Sequence, residues 1–472
     1  MLKSAFKIIV KSYGINYQQP WKHGESVTST GSGFAVEIMV SNRNRRFVMT
    51  NSHVARDGTF IQVMKPNSDK LYEVRLFNSA PEVDIALLEI DSKDEKEFWD
   101  SVTIFPLGKV PMKGDPVHVV GFPLGGDNPS ITRGIVSRIN VNMYSRAVQN
   151  LALQIDAAVN YGNSGGPAFD GVGKRIIGIA FSGIKNSEAI NFIIPVFIIR
   201  HYMDRISKFG KFDGICDLMI DCIPIQNQLM KKELLGEERG VLVTEIAPVG
   251  SCGLILQKHD IITYIDDVSV SSDGSMIVND QYESTKDQKN MYEKVPFWHY
   301  IRMKHPGDQV EITIIRNKKK QIKKCTLQVI DSLVPKIDAK ISTEYYVLGG
   351  FVFLPLNYWH VYGTNTKVEE LVSMRNLLPY IHDTNKEFED QQIVILSETV
   401  PNVTTTGYEV QNLRLHTVNG TEVKNIKHLQ QLCENSKGVT QFEFDYNVLV
   451  LIDMDIAIKN TAVVKEHLGI SP

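Results

Sequence analysis

Over roughly the first two hundred positions, apolar residues fall in short runs bounded by Gly, Pro, Asn or Asp. Phe47 to Thr50, Asp84 to Ile90, Val117 to Gly121, Leu151 to Ile155 and Ile176 to Phe181 are examples. Short apolar runs with turn formers between them predict strands of a sandwich or barrel, not strands alternating with helices. The opening Met1 to Val10 predicts a first strand of that fold. Behind Pro195 the period changes. Ile198, Ile199, Tyr202, Ile206 and Phe209 recur at three- and four-residue spacing, which predicts a helix over Val196 to Phe209. From 213 to 332, strands such as Gly240 to Pro248, Asp260 to Asp267 and Gln309 to Arg316 alternate with polar loops. The lysine-rich run from Asn317 to Lys324 reads as a solvated hairpin turn. From 336 to 472, Gln392 to Ser397 is a strand, and Leu413 to Asn419 runs into the tight-turn pair Asn419-Gly420. Val423 to Cys433 then predicts a helix, with further strands between Phe442 and Asp453. The recurring order of strand, turn, helix and strand suggests a duplicated small module.

Composition narrows the function classes. The chain has 472 residues, 43% hydrophobic and 22% charged, enough apolar material for several cores. With 51 basic and 54 acidic residues the formal charge is −3, so there is no chain-wide basic footprint for nucleic acid. Cys216, Cys222, Cys252, Cys325 and Cys433 are few, odd in number and without Cys-x-x-Cys spacing. They read as reduced thiols, not as a disulfide framework or zinc site. The histidines show no metal-ligand spacing and no Walker-type loop is present, so we expect no metal, no cofactor and no ATP dependence. No apolar run reaches the ~18 residues of a membrane span. A strand starting within the first ten residues favours cytosol or nucleus, with an organelle open if the N-terminus is truncated.

Three segments carry candidate chemistry: Thr50-Asn-Ser-His-Val, Val83-Asp-Ile-Ala-Leu-Leu and Gly162-Asn-Ser-Gly-Gly-Pro. Singly, each has a plain structural explanation as a strand end, a cap or a hairpin loop. Together they give His53, Asp84 and Ser164 in the order of chymotrypsin-like enzymes. A serine hydroxyl needs a neighbouring base, which His53 supplies, and Asp84 would fix the imidazole tautomer. The backbone N–H groups of Gly162 and Ser164 would form an oxyanion hole.

These motifs, with Gly31-Ser-Gly-Phe and Val120-Gly-Phe-Pro, resemble the trypsin-like serine proteases of the HtrA/Deg family. Gly349-Gly-Phe-Val-Phe, Gly407-Tyr-Glu and Val418-Asn-Gly-Thr-Glu-Val-Lys-Asn extend the resemblance to the plant-type Deg branch. The resemblance implies a mainly β chain: a chymotrypsin-like double β-barrel over 1–210, then two PDZ-like α+β modules over 211–335 and 336–472. It implies an ATP-independent endopeptidase for unfolded or exposed polypeptide, and a homo-oligomer, a trimer or a hexamer built from trimers. The alternative is a non-catalytic or resting-state chaperone on the same scaffold. Phe181, Ser182 and Gly183 match the strand that pairs with substrate. Asn191 stands where the family usually has Gly; if it lines the first specificity pocket it favours small side chains, and otherwise it points away. Ser52 replaces the more usual Ala and carries no mechanism. Leu218-Met219-Ile220 matches the carboxylate-gripping loop of a PDZ module but lacks its Gly, so peptide capture and gating are both open. No such loop is matched in the last module.

Overall fold

In the computed structural model the described residues are 1–124, 126–144, 148–183, 190–236, 238–277, 294–336, 343–363, 374–381 and 385–470. The alternating apolar runs of the first half close into two antiparallel barrels. The first holds β1 (Ala5–Ile15), β2 (His23–Val40), β3 (Arg43–Thr50), β4 (Gly58–Met64), β5 (Leu71–Ala80) and β6 (Ile85–Ile90), in the order β1-β2-β3-β6-β5-β4 with β4 returning to β1. The second holds β7 (Pro116–Gly121), β8 (Ser130–Tyr144), β9 (Val148–Ile155), β10 (Pro167–Asp170), β11 (Ile176–Gly183) and β12 (Asn191–Pro195), in the order β10-β11-β12-β9-β8-β7 with β7 closing on β10. Closure pairs every strand of each barrel on both sides over part of its length. Each barrel has its own interior, and a third apolar layer lies between them, where Phe34, Phe47 and Leu87 meet Val120, Phe169 and Phe192. Helix α1 (Val196–Phe209) follows Pro195 as the periodicity predicts and buries Phe197, Ile198, Tyr202 and Ile206 against that layer.

The two later modules repeat one topology. The first pairs β13 (Ile220–Pro224), β14 (Val241–Ile246), β15 (Ile261–Ile265), β16 (Gln309–Arg316) and β17 (Lys319–Thr326), with α2 (Phe297–Arg302) packed against them. The second adds an outer strand, β18 (Tyr346–Leu348), to β19 (Phe351–Pro355), β20 (Val394–Thr399), β21 (Leu413–Val418), β22 (Val439–Phe444) and β23 (Leu449–Asp453). Its two longest described helices are α3 (Ile426–Glu434) and α4 (Met454–His467). Asn419-Gly420 is the turn after β21, as expected, with both residues at positive φ. The helix expected from Val423 begins only at Ile426. Asn425 caps it by accepting the His428 N–H, and Val423 is held outside by its N–H to His416 O. The lysine run forms the β16–β17 hairpin, with Lys319, Lys320 and Lys324 exposed and Lys323 half-buried in β17.

Both modules dock on the barrels. His201 of α1 stacks on His305 at 5.0 Å and Phe197 meets His299 edge-on at 5.6 Å. The Arg302 guanidinium donates to Gln149 O of β9 and pairs with Asp217 at 3.5 Å. The β1–β2 connection reaches the other module. Trp21 packs on Tyr345 at 4.9 Å and donates to Leu468 O at 3.1 Å, and Gln19 donates to Glu398 at 3.0 Å. The five cysteines carry free thiols. Cys252 and Cys325 lie buried in the first module with their sulfurs 3.0 Å apart, a proximity that spacing along the chain does not reveal.

Candidate active site

Strand β3 ends in four buried residues, Phe47 to Thr50, and the chain then turns through a short helix, Ser52–Ala55, that carries His53. Ser52 is buried and its hydroxyl meets that of Ser79 at 2.8 Å, a packing role. Asp84 lies in the turn between β5 and β6 at φ +53°, a conformation Asp tolerates better than most side chains. That turn is pinned: Asn51 Nδ2 donates to Asp84 O at 3.0 Å and the Asp84 N–H to Pro81 O at 3.3 Å. The Asp84 carboxylate is fully buried. Its Oδ1 accepts the His53 backbone N–H at 2.9 Å, and the imidazole Nδ1 stands 2.8 Å from Oδ2 and 3.0 Å from Oδ1. A carboxylate only accepts, so Nδ1 carries the proton and Nε2 keeps its lone pair. The ring is about one-third exposed, at 35%, and so is open to a substrate.

The loop from Tyr161 to Gly166 belongs to the second barrel. Gly162 has φ +94°, and a Cβ there would stand 2.3 Å from Phe122 O. Gly165 lies so close to the first barrel that a Cβ would meet Thr50 Oγ1 at 2.3 Å and Asn51 N at 3.1 Å. The Ser164 segment therefore packs directly on the turn that carries His53. The carbonyls of the two peptides that carry the Gly162 and Ser164 N–H groups are both held. Tyr161 O accepts from Leu124 N–H at 2.9 Å, and Asn163 O from Gly166 N–H at 2.9 Å. In a trans peptide the N–H points opposite its carbonyl. The N–H groups of Gly162 and Ser164 are thus turned away from these anchors, and neither has a partner among the described residues. Ser164 Oγ and His53 Nε2 make no hydrogen bond with each other among the described contacts.

The β10–β11 ladder ends at Ala180, which accepts from Gly165 N–H and donates to Gly166 O. From Phe181 onward that edge of β11 has no strand partner among the described residues. Phe181 is buried against Tyr144 at 4.6 Å and Phe192 at 6.4 Å. Burial, reinforced by the Asp84 charge, holds the Tyr144 phenol well above its usual pKa. Of Ser182 and Gly183 only the backbone is described; Gly183 pairs with Asn191, which in turn pairs with Ile155. Asn191 is partly exposed, on the same strand face as Ile193 of the barrel interior.

In the first later module, Leu218 is buried and Met219 adopts φ +55° despite its side chain. Two bonds hold it there: its N–H donates to Asp217 Oδ1 at 2.9 Å and its carbonyl accepts from Ala247 at 3.0 Å. Met219 thus takes the positive φ that a Gly would supply without cost. Met219 and Ile220 line a cavity of about 690 Å³ shared with Gln149, Trp298, Arg302 and Lys336. The equivalent loop of the second module, unmatched in the sequence, is Gly349-Gly350. It joins β18 to β19 as a hairpin, so the chain's own β18 covers the edge of β19.

Comparison with known proteins agrees with this arrangement. Residues 31–179 match the trypsin-like peptidase domain, and residues 334–471 match the PDZ domain. Protease Do-like 4, mitochondrial, of Arabidopsis thaliana is 31% identical over 88% of this chain and 74% of its own. The chain belongs to the Deg/Do-like, HtrA-type protease family. Protease Do-like 2, chloroplastic, of the same plant is 30% identical over 99% of this chain and 74% of its own. Among solved structures, the HtrA-type protease AlgW with decapeptide shares the fold with a TM-score of 0.51 at 22% identity. That match covers 70% of this chain and 96% of AlgW. The family assignment corrects one expectation. Relatives along most of the chain are named as mitochondrial or chloroplastic, which overturns the cytosolic or nuclear reading. That reading leaned on an early first strand, and a strand does not fix a compartment. Among the described residues no helix is long and apolar enough to cross a membrane.

The sequence singled out His53, Asp84, Ser164 and Gly162 but missed the groups that hold their segments: Asn51, Leu124 and Ser32. Only Ser32 and Asn51 lay inside motifs already noted, and nothing in the motifs distinguishes their side-chain roles.

Proposed function

We propose that this family member is an active, ATP-independent serine endopeptidase that cuts exposed or unfolded polypeptide. The contact that carries the reading is the His53 Nδ1–Asp84 pair at 2.8 Å, which leaves Nε2 as the base. Ser164 Oγ attacks the scissile carbonyl carbon while His53 Nε2 takes its proton. The tetrahedral oxyanion is held by the N–H groups of Gly162 and Ser164. Collapse expels the amine, which takes the proton back from His53, and leaves an acyl-Ser164 ester. Water, deprotonated by the same imidazole, then adds to the ester carbonyl; the acyl–Oγ bond breaks, Ser164 Oγ takes the proton back from His53, and the acid leaves. The open edge of β11 from Phe181 to Gly183 supports binding of substrate as an added strand. Asn191, in register with Gly183, narrows the first pocket in favour of small side chains. A fluorophosphonate probe should label wild type but not Ser164→Ala, and casein should be degraded only by wild type. Failure of wild type to label would defeat the reading.

For the first PDZ-like module the Arg302–Gln149 contact favours gating: the cavity beside Met219 borders β9 of the protease, so occupancy there is felt by the barrel. Calorimetry with C-terminal peptides tests this; micromolar binding that requires the terminal carboxylate and leaves proteolysis unchanged would overturn it. We place the domain limits near 210 and 335. The relatives' names support an organellar site of action, and the family resemblance supports a trimer-based assembly, which light scattering would read.

A further inference from the structure

We propose that Ser32 is a positioning residue for acyl transfer, and that its hydroxyl sets the nucleophile loop of the second barrel against the base of the first. The proposal rests on the endopeptidase reading above. His53 and Asp84 sit on the first barrel, whereas Ser164 and Gly162 sit on the second. The distance from base to nucleophile is therefore a relation between barrels. Ser32, in β2 and fully buried, uses every polar group it has at that seam. Its Oγ donates to Gly162 O at 2.6 Å and accepts from Phe122 N–H at 2.8 Å. Its N–H donates to Ser164 O at 2.8 Å, and its carbonyl accepts from Thr50 Oγ1 at 2.7 Å.

The partners explain the consequence. Three consecutive peptides of the loop have their carbonyls fixed: Tyr161 O by Leu124, Gly162 O by Ser32 and Asn163 O by Gly166. Leu124 and Gly166 belong to the second barrel. Ser32 brings the first barrel to the loop, and Thr50, which anchors Ser32, is three residues from His53. Phe122 leads into Leu124, so one hydroxyl also ties down the segment that orients the Gly162 N–H. Removing it leaves Gly162 O and Phe122 N–H buried without their partner, while the Ser32–Ser164 backbone bond persists. Leaving those two groups unpaired carries a desolvation cost, which a small shift of the loop relieves.

The test is Ser32→Ala on the full chain, with kcat and KM measured per fluorophosphonate-titrated active site. Displacing reacting groups by a fraction of an ångström predicts a kcat about 10- to 100-fold lower with KM nearly unchanged. Acylation by the probe should slow in parallel. The pH profile should keep its position, because the His53–Asp84 pair is untouched. Ser32→Thr, which keeps the hydroxyl, should restore most of the rate. A lowered melting temperature with unchanged kcat per titrated site would make Ser32 merely structural and overturn the proposal. Should Ser32→Ala not fold, Ser32→Cys, a weaker donor, is measured in the same way, and unchanged kcat there overturns it equally. Wild type that does not label defeats the protease reading itself, a result separate from wild type and Ser32→Ala labelling alike.

Discussion

Gly162→Ala puts the oxyanion loop to a quantitative test. The new Cβ would lie 2.3 Å from Phe122 O and 3.1 Å from Leu124 N, on a residue whose φ is +94°. Ordinary carbon contacts sit near ~3.5 Å, so the loop must retreat by roughly 1 Å. The carbonyl it strikes is backbone and has no rotamer by which to yield. Leu124 N–H is also the donor that holds Tyr161 O, so the retreat loosens the bond that fixes the direction of the Gly162 N–H. The strained backbone costs about 1–3 kcal/mol of folding stability. Loss of one oxyanion donor lowers kcat by about 10²–10³, equivalent to about 2.7–4 kcal/mol in the transition state. Hydrolysis of a fluorogenic peptide, normalised to probe-labelled sites and paired with a thermal melt, separates the two effects. A folded Gly162→Ala enzyme with kcat within about threefold of wild type would refute the assignment of that N–H to the oxyanion hole.

Asp84→Asn keeps the shape of the turn but removes the acceptor that fixes the Nδ1 proton, and kcat should fall about 10⁴-fold with the fold intact by circular dichroism. Arg316 forks onto the buried Asp260 at 2.7 and 2.6 Å, so Arg316→Ala strands a carboxylate and should destabilise the first module by about 3–5 kcal/mol in urea. His201 and His299 are each pushed down to about 3, chiefly by burial, with His305, Arg205 and Lys208 opposing protonation of the first and Arg302 and His201 that of the second. Asp204 works the other way on His201. Between their unfolded pKa of about 6.5 and 3 the unfolded chain binds more protons, so stability is lost as pH falls through that window, by up to about 1.4 kcal/mol per unit for each group. His299→Phe should flatten the pH dependence of the urea midpoint; parallel curves for mutant and wild type would contradict this.

The parts of the molecule legible in the sequence are those governed by local rules. Strand periodicity located β3, β6, β7, β9 and β11, and Pro195 with its apolar spacing located α1 to the residue. The pairing of His53 with Asp84 was legible because each sits in a short, chemically constrained segment, and Ser164 stands out as the proposed nucleophile for the same reason. What was not legible depends on contacts between distant segments. Met219 takes a left-handed backbone because Asp217 and Ala247 hold it, and no propensity argument on Met anticipates that. The β18 strand over β19 was invisible because Gly349-Gly350 reads equally as a loop or a hairpin. Ser32 sits in a small-residue motif, and its role emerges only when four remote partners converge on it.

The three bodies do not hang in series. The barrels touch the first module through Arg302, His299 and His305, and touch the second through Trp21 and Gln19. The barrels are thus a hub, and each module leans on it through a seam of its own. A swing of the last module cannot occur at its linker alone, since it must also pull the indole off Leu468 O. Movement of the last module is therefore resisted at its seam with the barrels as well as at its linker, and that seam joins the C-terminal end to the barrels without the body between.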